Sequence, residues 1–446
     1  MSKTKKRVLF HSEASYLNTG YSNYGKEVIS RLIDSGKYEV AELSNYGTAD
    51  DPRRASIPWK NYPVAPKGSE PEEIKKLYNS NPANQFGAWR FERACLDFKP
   101  DIFCGQMDSW MESWVRFSPY RPIVSWAWAS TVDGAPQNSE WINQFASTDY
   151  FYTLSDWGTE IIKEQGGDSI NHIASVTACA PSIFKPCPNK FAHRISMGIN
   201  PEWNIIGTVM RNQRRKLFPD LFEMFGKYLK ETGSTDTYLY CHTSYPDNGW
   251  DIPNLLVRNG IASKVLFTYA CANCENIVVD KFSDTLMQCK KCKRFASKMS
   301  NVSVGATTEQ LGKTYQVFDL YFQCANSEGI GMPQIEAAAC GIPIMSVDYS
   351  AMSDVVRKLK GYPVPLSSKT LELETGCYRA IPDQDAVLFY WKDFFSKSKD
   401  EQVAIGLETR KAYETNFSWD RVVDSWMISL DDCPIANWNQ QFRQIN

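Results

Sequence analysis

Two carboxylates set among glycines in the run 326–347 have the residue types and the spacing to do chemistry. Glu328 is followed by Gly329 and Gly331, then by Pro333, and Glu336 falls eight residues after Glu328. The preceding Val317-Phe318-Asp319-Leu320-Tyr321-Phe322 is aromatic and β-branched, the composition of a buried strand. Gly329 and Gly331 let the backbone turn with no Cβ in the way, and Pro333 suits the first helical residue, where an N–H is dispensable. The stretch therefore reads as strand, glycine loop, helix, strand. Free amide groups at such a helix start attract phosphate, and carboxylates accept hydrogen bonds from sugar hydroxyls. Phosphate and hydroxyls together describe a nucleotide sugar. The bland alternative is a loop glutamate and a first-turn partner of the helix dipole.

A second candidate group is cationic. Residues 205–210 read as the first strand of an α/β unit, and Arg211, Arg214, Arg215 and Lys216 stand between it and the amphipathic stretch 217–229. At that place a guanidinium fork and an ammonium can meet a diphosphate; alone, such a run is more often a solvated face. A third group is metal-ligating. Cys271 and Cys274, then Cys289 and Cys292, form two Cys-x2-Cys pairs 14 residues apart, close to the spacing of a four-thiolate zinc ribbon. Four thiolates leave no open coordination position, so such a zinc is structural; the alternative is a redox pair or coincidence. Between Cys271 and Lys298 six basic residues stand against three acidic ones, and a zinc tetrathiolate, at −2, nearly cancels that excess.

With these groups in view, Ser327-Glu328-Gly329-Ile330-Gly331-Met332-Pro333, with Glu336, Ala337, Cys340-Gly341 and Pro343, resembles the Glu-x7-Glu signature of retaining GT-B glycosyltransferases of family 4. The resemblance implies that Glu328 and the backbone at Gly329 and Ile330 contact the donor sugar, with Gly331 beside them, and that Glu336 contacts the nucleotide ribose. It implies that Arg211 and Lys216, with Arg215 next to them, neutralise the leaving diphosphate. Gly20, Tyr21 and Ser22 loosely match a glycine loop near the donor phosphate and the acceptor. Asp133, in Thr131-Val132-Asp133-Gly134, is the candidate for touching the donor sugar or the acceptor hydroxyl, unless it is an ordinary Asp-Gly turn residue. Many family members carry a His near here; this chain does not, and with 4 His in all a histidine base is not expected. The implied catalytic set is thus Glu328, Arg211, Lys216 and Asp133, working without a catalytic metal. The cysteine insert is not part of the family pattern.

These residues need a scaffold of the GT-B kind, two Rossmann-like α/β domains facing a cleft. Short apolar strands at 7–10, 102–104, 123–126 and 150–154, separated by helical or loop segments, predict a mostly parallel sheet in the first half. The Pro- and Asn-rich region 57–86 is expected to wander over the surface. Asp383 is expected to cap a helix beginning near Ala386. The expected domains are 1–190 for the acceptor, 191–415 for the nucleotide sugar, a zinc-ribbon insertion at 270–298, and a helix in 416–446 crossing back to the first domain. At 446 residues, 43% hydrophobic and 13% aromatic, the chain suits a globular protein with large cores. A formal net charge of −2 gives no global field for nucleic acid or anionic lipid. The basic start 1–7 lacks a signal-peptide core and no apolar run could cross a bilayer, so a cytoplasmic location is expected. The expected partners are a nucleoside-diphosphate sugar and an acceptor that is a glycan, a protein or modified nucleic acid. The rival reading is a catalytically degenerate scaffold whose ribbon binds nucleic acid or protein.

Overall fold

The structure, a computed structural model, describes residues 5–17, 19–300 and 305–441, so the first four residues of the basic start lie outside it. It divides into two units. One comprises the chain up to Ala178 with Leu373–Cys377 and the segment from Ser418 onward; the other comprises Cys179–Glu372 and Tyr378–Phe417.

In the first unit the strands are β1 (Lys6–Glu13), β2 (Tyr38–Thr48), β3 (Lys60–Ala65), β4 (Ile102–Gln106), β5 (Ser125–Ser130), β6 (Tyr150–Thr153) and β7 (Ile173–Ser175). They form one parallel sheet in the order β3-β2-β1-β4-β5-β6-β7. Two sequence expectations need correction. The region 57–86 does not merely wander: it supplies edge strand β3 and the helices Glu72–Ser80 and Pro82–Gln85. Its Pro63 is tolerated because an edge strand can spare an N–H. The strand expected at 123–126 lies further along, at Ser125–Ser130, where Trp126 and Trp128 stack with ring centroids 5.3 Å apart and small alanines alternate with them. The helix Trp419–Asp432 also belongs to this unit: Trp426 Nε1 donates to the Tyr24 hydroxyl at 3.0 Å, and its ring packs on Phe10 and Tyr152.

The second unit holds β8 (Asn204–Val209), β9 (Thr237–His242), β10 (Val265–Cys271), β11 (Ile277–Asp280), β12 (Met287–Gln288), β13 (Phe295–Met299), β14 (Leu320–Gln323), β15 (Ile344–Val347) and β16 (Tyr362–Val364), followed by the hairpin β17 (Leu366–Leu371) and β18 (Tyr378–Pro382). The sheet order is β12-β13-β10-β9-β8-β14-β15-β16, with β11 also on β10. From β10 to β16 the pairing is parallel. The cysteine insert prolongs this sheet: the first half of β10 pairs with β9, and its second half pairs antiparallel with β11 and β13. Asp383 caps the helix Gln384–Ser396, its carboxylate accepting from Ala386 N at 3.0 Å, as expected.

Asp319, just before β14, ties the entry of this unit together. Its carboxylate accepts from Lys190 Nζ at 2.9 Å, Arg194 Nη2 at 2.7 Å and Ile205 N at 2.8 Å, while Arg194 also donates to the carbonyls of Val317, Pro201 and Trp203. Burial alone would raise the Asp319 carboxyl, but Lys190 and Arg194 outweigh it and hold it well below the usual carboxylate range. A depressed carboxylate stabilises the fold above its unfolded-state pKa and ceases to do so as pH falls through the folded value. Asp319→Ala should therefore cost about 3–5 kcal/mol at neutral pH, because it strands buried Arg194. The penalty should shrink below about pH 4, where wild type loses the same stabilisation. Denaturant unfolding of both proteins at pH 7 and at about pH 2, closer to the folded pKa, checks this.

Candidate functional site

The order of the second sheet decides where a ligand can sit. Strand order reverses between β8 and β14: β8 runs through the helix Phe218–Thr232 to β9 on one side, and β14 runs through the helix Met332–Ala339 to β15 on the other. Loops leaving neighbouring strands diverge at such a point and open a crevice at the carboxyl ends. The loop after β8 carries Arg211–Lys216, and the loop after β14 carries Glu328–Gly331.

Backbone bonds staple these two loops. Leu217 N donates to Cys324 O at 3.1 Å and Asn326 N to Arg215 O at 2.9 Å, with an antiparallel bridge between Lys216 and Ala325. This brings the cations to the first glutamate. Arg215 Nη1 lies 2.6 Å from Glu328 Oε2, and Lys216 Nζ pairs with Oε1. Glu328 and Lys216 are 6% and 5% exposed, so each neutralises a charge that could not be buried alone. Gln323 Nε2, at the end of β14, donates to Glu328 Oε1 at 2.8 Å and is held by Tyr321, whose hydroxyl donates to its Oε1. Glu328 N donates to Ser350 Oγ at 3.0 Å, linking the loop after β15.

The glycine loop does what its composition predicts. Gly331 has φ +76°, and a Cβ there would come 2.6 Å from Gln334 Nε2. The following helix, Met332–Ala339, has Pro333 in its first turn and no side chain capping its start. Glu336, one turn in, is buried, and its Oε2 accepts from the Tyr315 hydroxyl at 2.7 Å.

Arg211 goes elsewhere. Its Nε and Nη2 donate to Asp247 Oδ2 and Oδ1 at 2.7 and 2.9 Å, a side-on fork to a residue in the loop after β9. Asp247 also accepts from Asn248 N at 2.8 Å and from the Ser244 hydroxyl. Burial would raise its carboxyl, but the bonds from Arg211 and Ser244 hold it down to about 2. The two loops interlock: Asn212 donates through Nδ2 to Trp250 O and accepts at Oδ1 from Trp250 N, both at 2.8 Å, and Trp250 Nε1 donates to Lys216 O at 2.8 Å. A Cβ on Gly249 would lie 2.5 Å from the Asn212 carbonyl oxygen, so only glycine fits this close approach.

The remaining candidates belong to the first unit. Gly20, Tyr21 and Ser22 are not a loop but the first turn of the helix Gly20–Asp34, capped by Thr19, whose Oγ1 accepts from Ser22 N. The Tyr21 hydroxyl donates to Asp108 Oδ1 at 2.5 Å and lies 2.7 Å from Thr131 Oγ1. Asp133 is half-buried in the loop after β5. Sequence reasoning missed Gln323, Ser350, Tyr315, Ser244 and Asp247. Only Gln323, a polar residue closing an apolar strand, left a local signal.

The four cysteines also converge. Their Sγ atoms all lie within 4.8 Å of one another, with Cys271–Cys292 and Cys274–Cys289 each at 3.6 Å. A zinc tetrahedron with bonds of about 2.3 Å has edges of about 3.8 Å, so the donor set fits that ion. The N–H groups of Cys292 and Lys291 point at Cys289 and lower its thiol, while Cys274 beside it is raised, so the cluster titrates as a unit.

Comparison with known proteins bears on this arrangement. The family model described as "Glycosyl transferases group 1" matches residues 277–370, a stretch containing Glu328 through Glu336 but not the cations after β8. No curated protein sequence matches the chain. Among solved structures, the fold is similar to sucrose-phosphate synthase from Thermosynechococcus elongatus, with TM-score 0.67 and 14% identity over 99% of each chain. It is also similar to a glycosyltransferase from Rickettsia africae, with TM-score 0.66 and 13% identity over 97% of this chain and 99% of that one. Anabaena Alr3699/HepE, solved with UDP and glucose, gives TM-score 0.66 and 10% identity over 96% of this chain and 100% of that one. The fold is GT-B. Two Rossmann-like α/β units are the fold class expected from the sequence.

Glu336 gives this site a pH signature. Burial pushes its carboxyl from 4.5 up to about 7, against the lowering hydrogen bond from Tyr315. A raised carboxyl binds its proton more tightly in the folded state, so stability falls as pH rises between about 4.5 and 7. Wild type should lose on the order of 2–3 kcal/mol across that window. Glu336→Gln, which keeps an acceptor for Tyr315, should not lose it, as denaturant unfolding at pH 5 and pH 8 would read.

Proposed function

We propose that this chain is a retaining glycosyltransferase that moves a sugar from a nucleoside-diphosphate donor to an acceptor hydroxyl. The observation that carries the reading is the meeting of Glu328 with Lys216 and Arg215 at the strand-order reversal, beside an uncapped helix start. The match to the group 1 glycosyl transferase model over this segment supports it.

In this reading the donor diphosphate lies against the start of Met332–Ala339, near Lys216, Arg215 and Arg211. Glu328 and the backbone of Gly329, Ile330 and Gly331 bind the sugar hydroxyls, and Glu336 takes the ribose. The bond from the anomeric carbon to the diphosphate oxygen breaks, and the oxygen keeps the electron pair. That negative charge is met by fixed cations and amide dipoles, which need not reorganise during the step. The acceptor oxygen attacks from the same face, and its proton passes to the departing phosphate oxygen. No histidine base and no catalytic metal enter this sequence. In the first unit, Gly20, Tyr21, Ser22 and Asp133 are assigned to the acceptor side and the donor's near end. The acceptor class is a glycan, a protein or modified nucleic acid.

The cysteine insert holds a structural zinc in this reading. Its role is to fold a segment with too little core of its own.

Two measurements test these assignments. With a labelled nucleotide-sugar panel, wild type should transfer or hydrolyse one donor. Glu328→Ala should lower kcat by about 10²–10³-fold, the cost of losing a preorganised polar contact in a transition state, while nucleoside diphosphate still binds. Turnover unchanged by Glu328→Ala would remove that residue from the site, and inertness of wild type toward every donor would favour the binding-module reading. Metal analysis of reduced protein should find about one zinc per chain; its absence would end the ribbon assignment.

A further inference from the structure

We infer that Asp247 is the positioning residue for Arg211, fixing the guanidinium so that its outer N–H groups face the donor diphosphate. This rests on the assignment of Arg211 to the diphosphate.

The geometry supplies the argument. An arginine on a loop carries much rotamer entropy, and a guanidinium free to swing would have to be ordered by the ligand that binds it. Arg211 is not free to swing. Asp247 takes the Nε and Nη2 edge of the fork side-on, which leaves Nη1 and the far hydrogen of Nη2 pointing away from the carboxylate. The Asp247 side chain is 7% exposed and that of Arg211 is 49% exposed, so the anchor is buried and the free edge of the guanidinium meets solvent.

The anchor is itself anchored. Asn248 N and the Ser244 hydroxyl fill further lone pairs of Asp247, and Ser244 Oγ also accepts from Asn212 N at 3.2 Å. The Asn212–Trp250 pair and the close approach at Gly249 then lock the loop after β9 onto the loop after β8. On its other side, the Tyr245 ring packs edge-on against Phe282 of the cysteine insert, centroids 5.5 Å apart. The carboxylate thus stays in place whether or not an anion arrives, and Arg211 can hold Asp247 with one edge and a phosphate with the other.

The test is a double-mutant cycle on nucleoside-diphosphate binding, read by titration calorimetry with UDP, ADP and GDP. Asp247→Ala should weaken the preferred diphosphate about tenfold or more, the loss expected when a charged hydrogen-bond donor is no longer held. In an Arg211→Ala background the same change should alter binding within about twofold, because its effect runs through the missing guanidinium. Asp247→Asn keeps an acceptor for Arg211 and Asn248 and should fall between, and it carries the cycle if the alanine variant does not fold. Equal penalties in both backgrounds would make Asp247 merely structural and overturn the inference, as would wild-type affinity in Asp247→Ala. If wild type binds none of the three diphosphates, the donor reading fails and this assignment falls with it.

Discussion

Glu328 sits where a bare carboxylate could not stay. Removing its charge from water costs several kcal/mol unless cations and donors replace the lost hydration. Here Lys216, Arg215 and Gln323 replace it, and they arrive from two parts of the sheet: the loop after β8 supplies both cations, and the last residue of β14 supplies the amide. The dependence is mutual, since Lys216 is as buried as its partner. Two cations against one carboxylate leave a positive surplus beside an uncapped helix start, which is the local charge an anionic ligand would neutralise.

This constraint explains the backbone staples. A charge pair in a low-dielectric setting is worth its desolvation only at short range, so the two loops must be held in register more tightly than side chains alone allow. The bonds Leu217 N to Cys324 O and Asn326 N to Arg215 O do so, and the bond from Glu328 N to Ser350 fixes the third loop. Arg211 solves the opposite problem. It lies five residues before Lys216, half in water, so its carboxylate partner organises the side chain more than it compensates burial. One loop therefore presents two kinds of cation, one buried against Glu328 and one exposed with its back to Asp247.

What the sequence made legible follows from range. The Glu-x7-Glu stretch, the turn at Gly331, the proline in the first helical turn and the two cysteine pairs are local patterns written within a few residues: Gly331 has a positive φ, Pro333 lies in the first helical turn, and the four cysteines converge. The meeting of Lys216 with Glu328 and of Arg211 with Asp247 depends on which strands lie side by side, a property of the assembled sheet. Asp247 sits in an unremarkable Tyr-Pro-Asp-Asn-Gly turn and acquires meaning only because β9 lies next to β8. Likewise β3 was hidden by Pro63, since a sequence does not declare which strand will be an edge. The shift of β5 to Ser125–Ser130 reflects alanines at 127 and 129, which weigh little in hydrophobic patterning yet let the two tryptophans stack.

The cysteine insert shows how a local pattern can leave its connection to the rest of the sheet hidden. Its spacing does not say which strand it joins: Cys271 is the last residue of β10, and the strand that follows the second cysteine pair, β13, pairs with that same end of β10. A metal bound by these thiolates would therefore clamp the end of a strand that is also part of the nucleotide-side sheet, and its binding free energy would be shared with that sheet. Phe282 extends the connection, packing its ring against Phe267 of β10 on one side and Tyr245 on the other. The insert thus buttresses the loop that carries Asp247. With a zinc tetrathiolate its net charge would be nearly balanced, so packing, more than its own field, would be the route by which it reaches the cations.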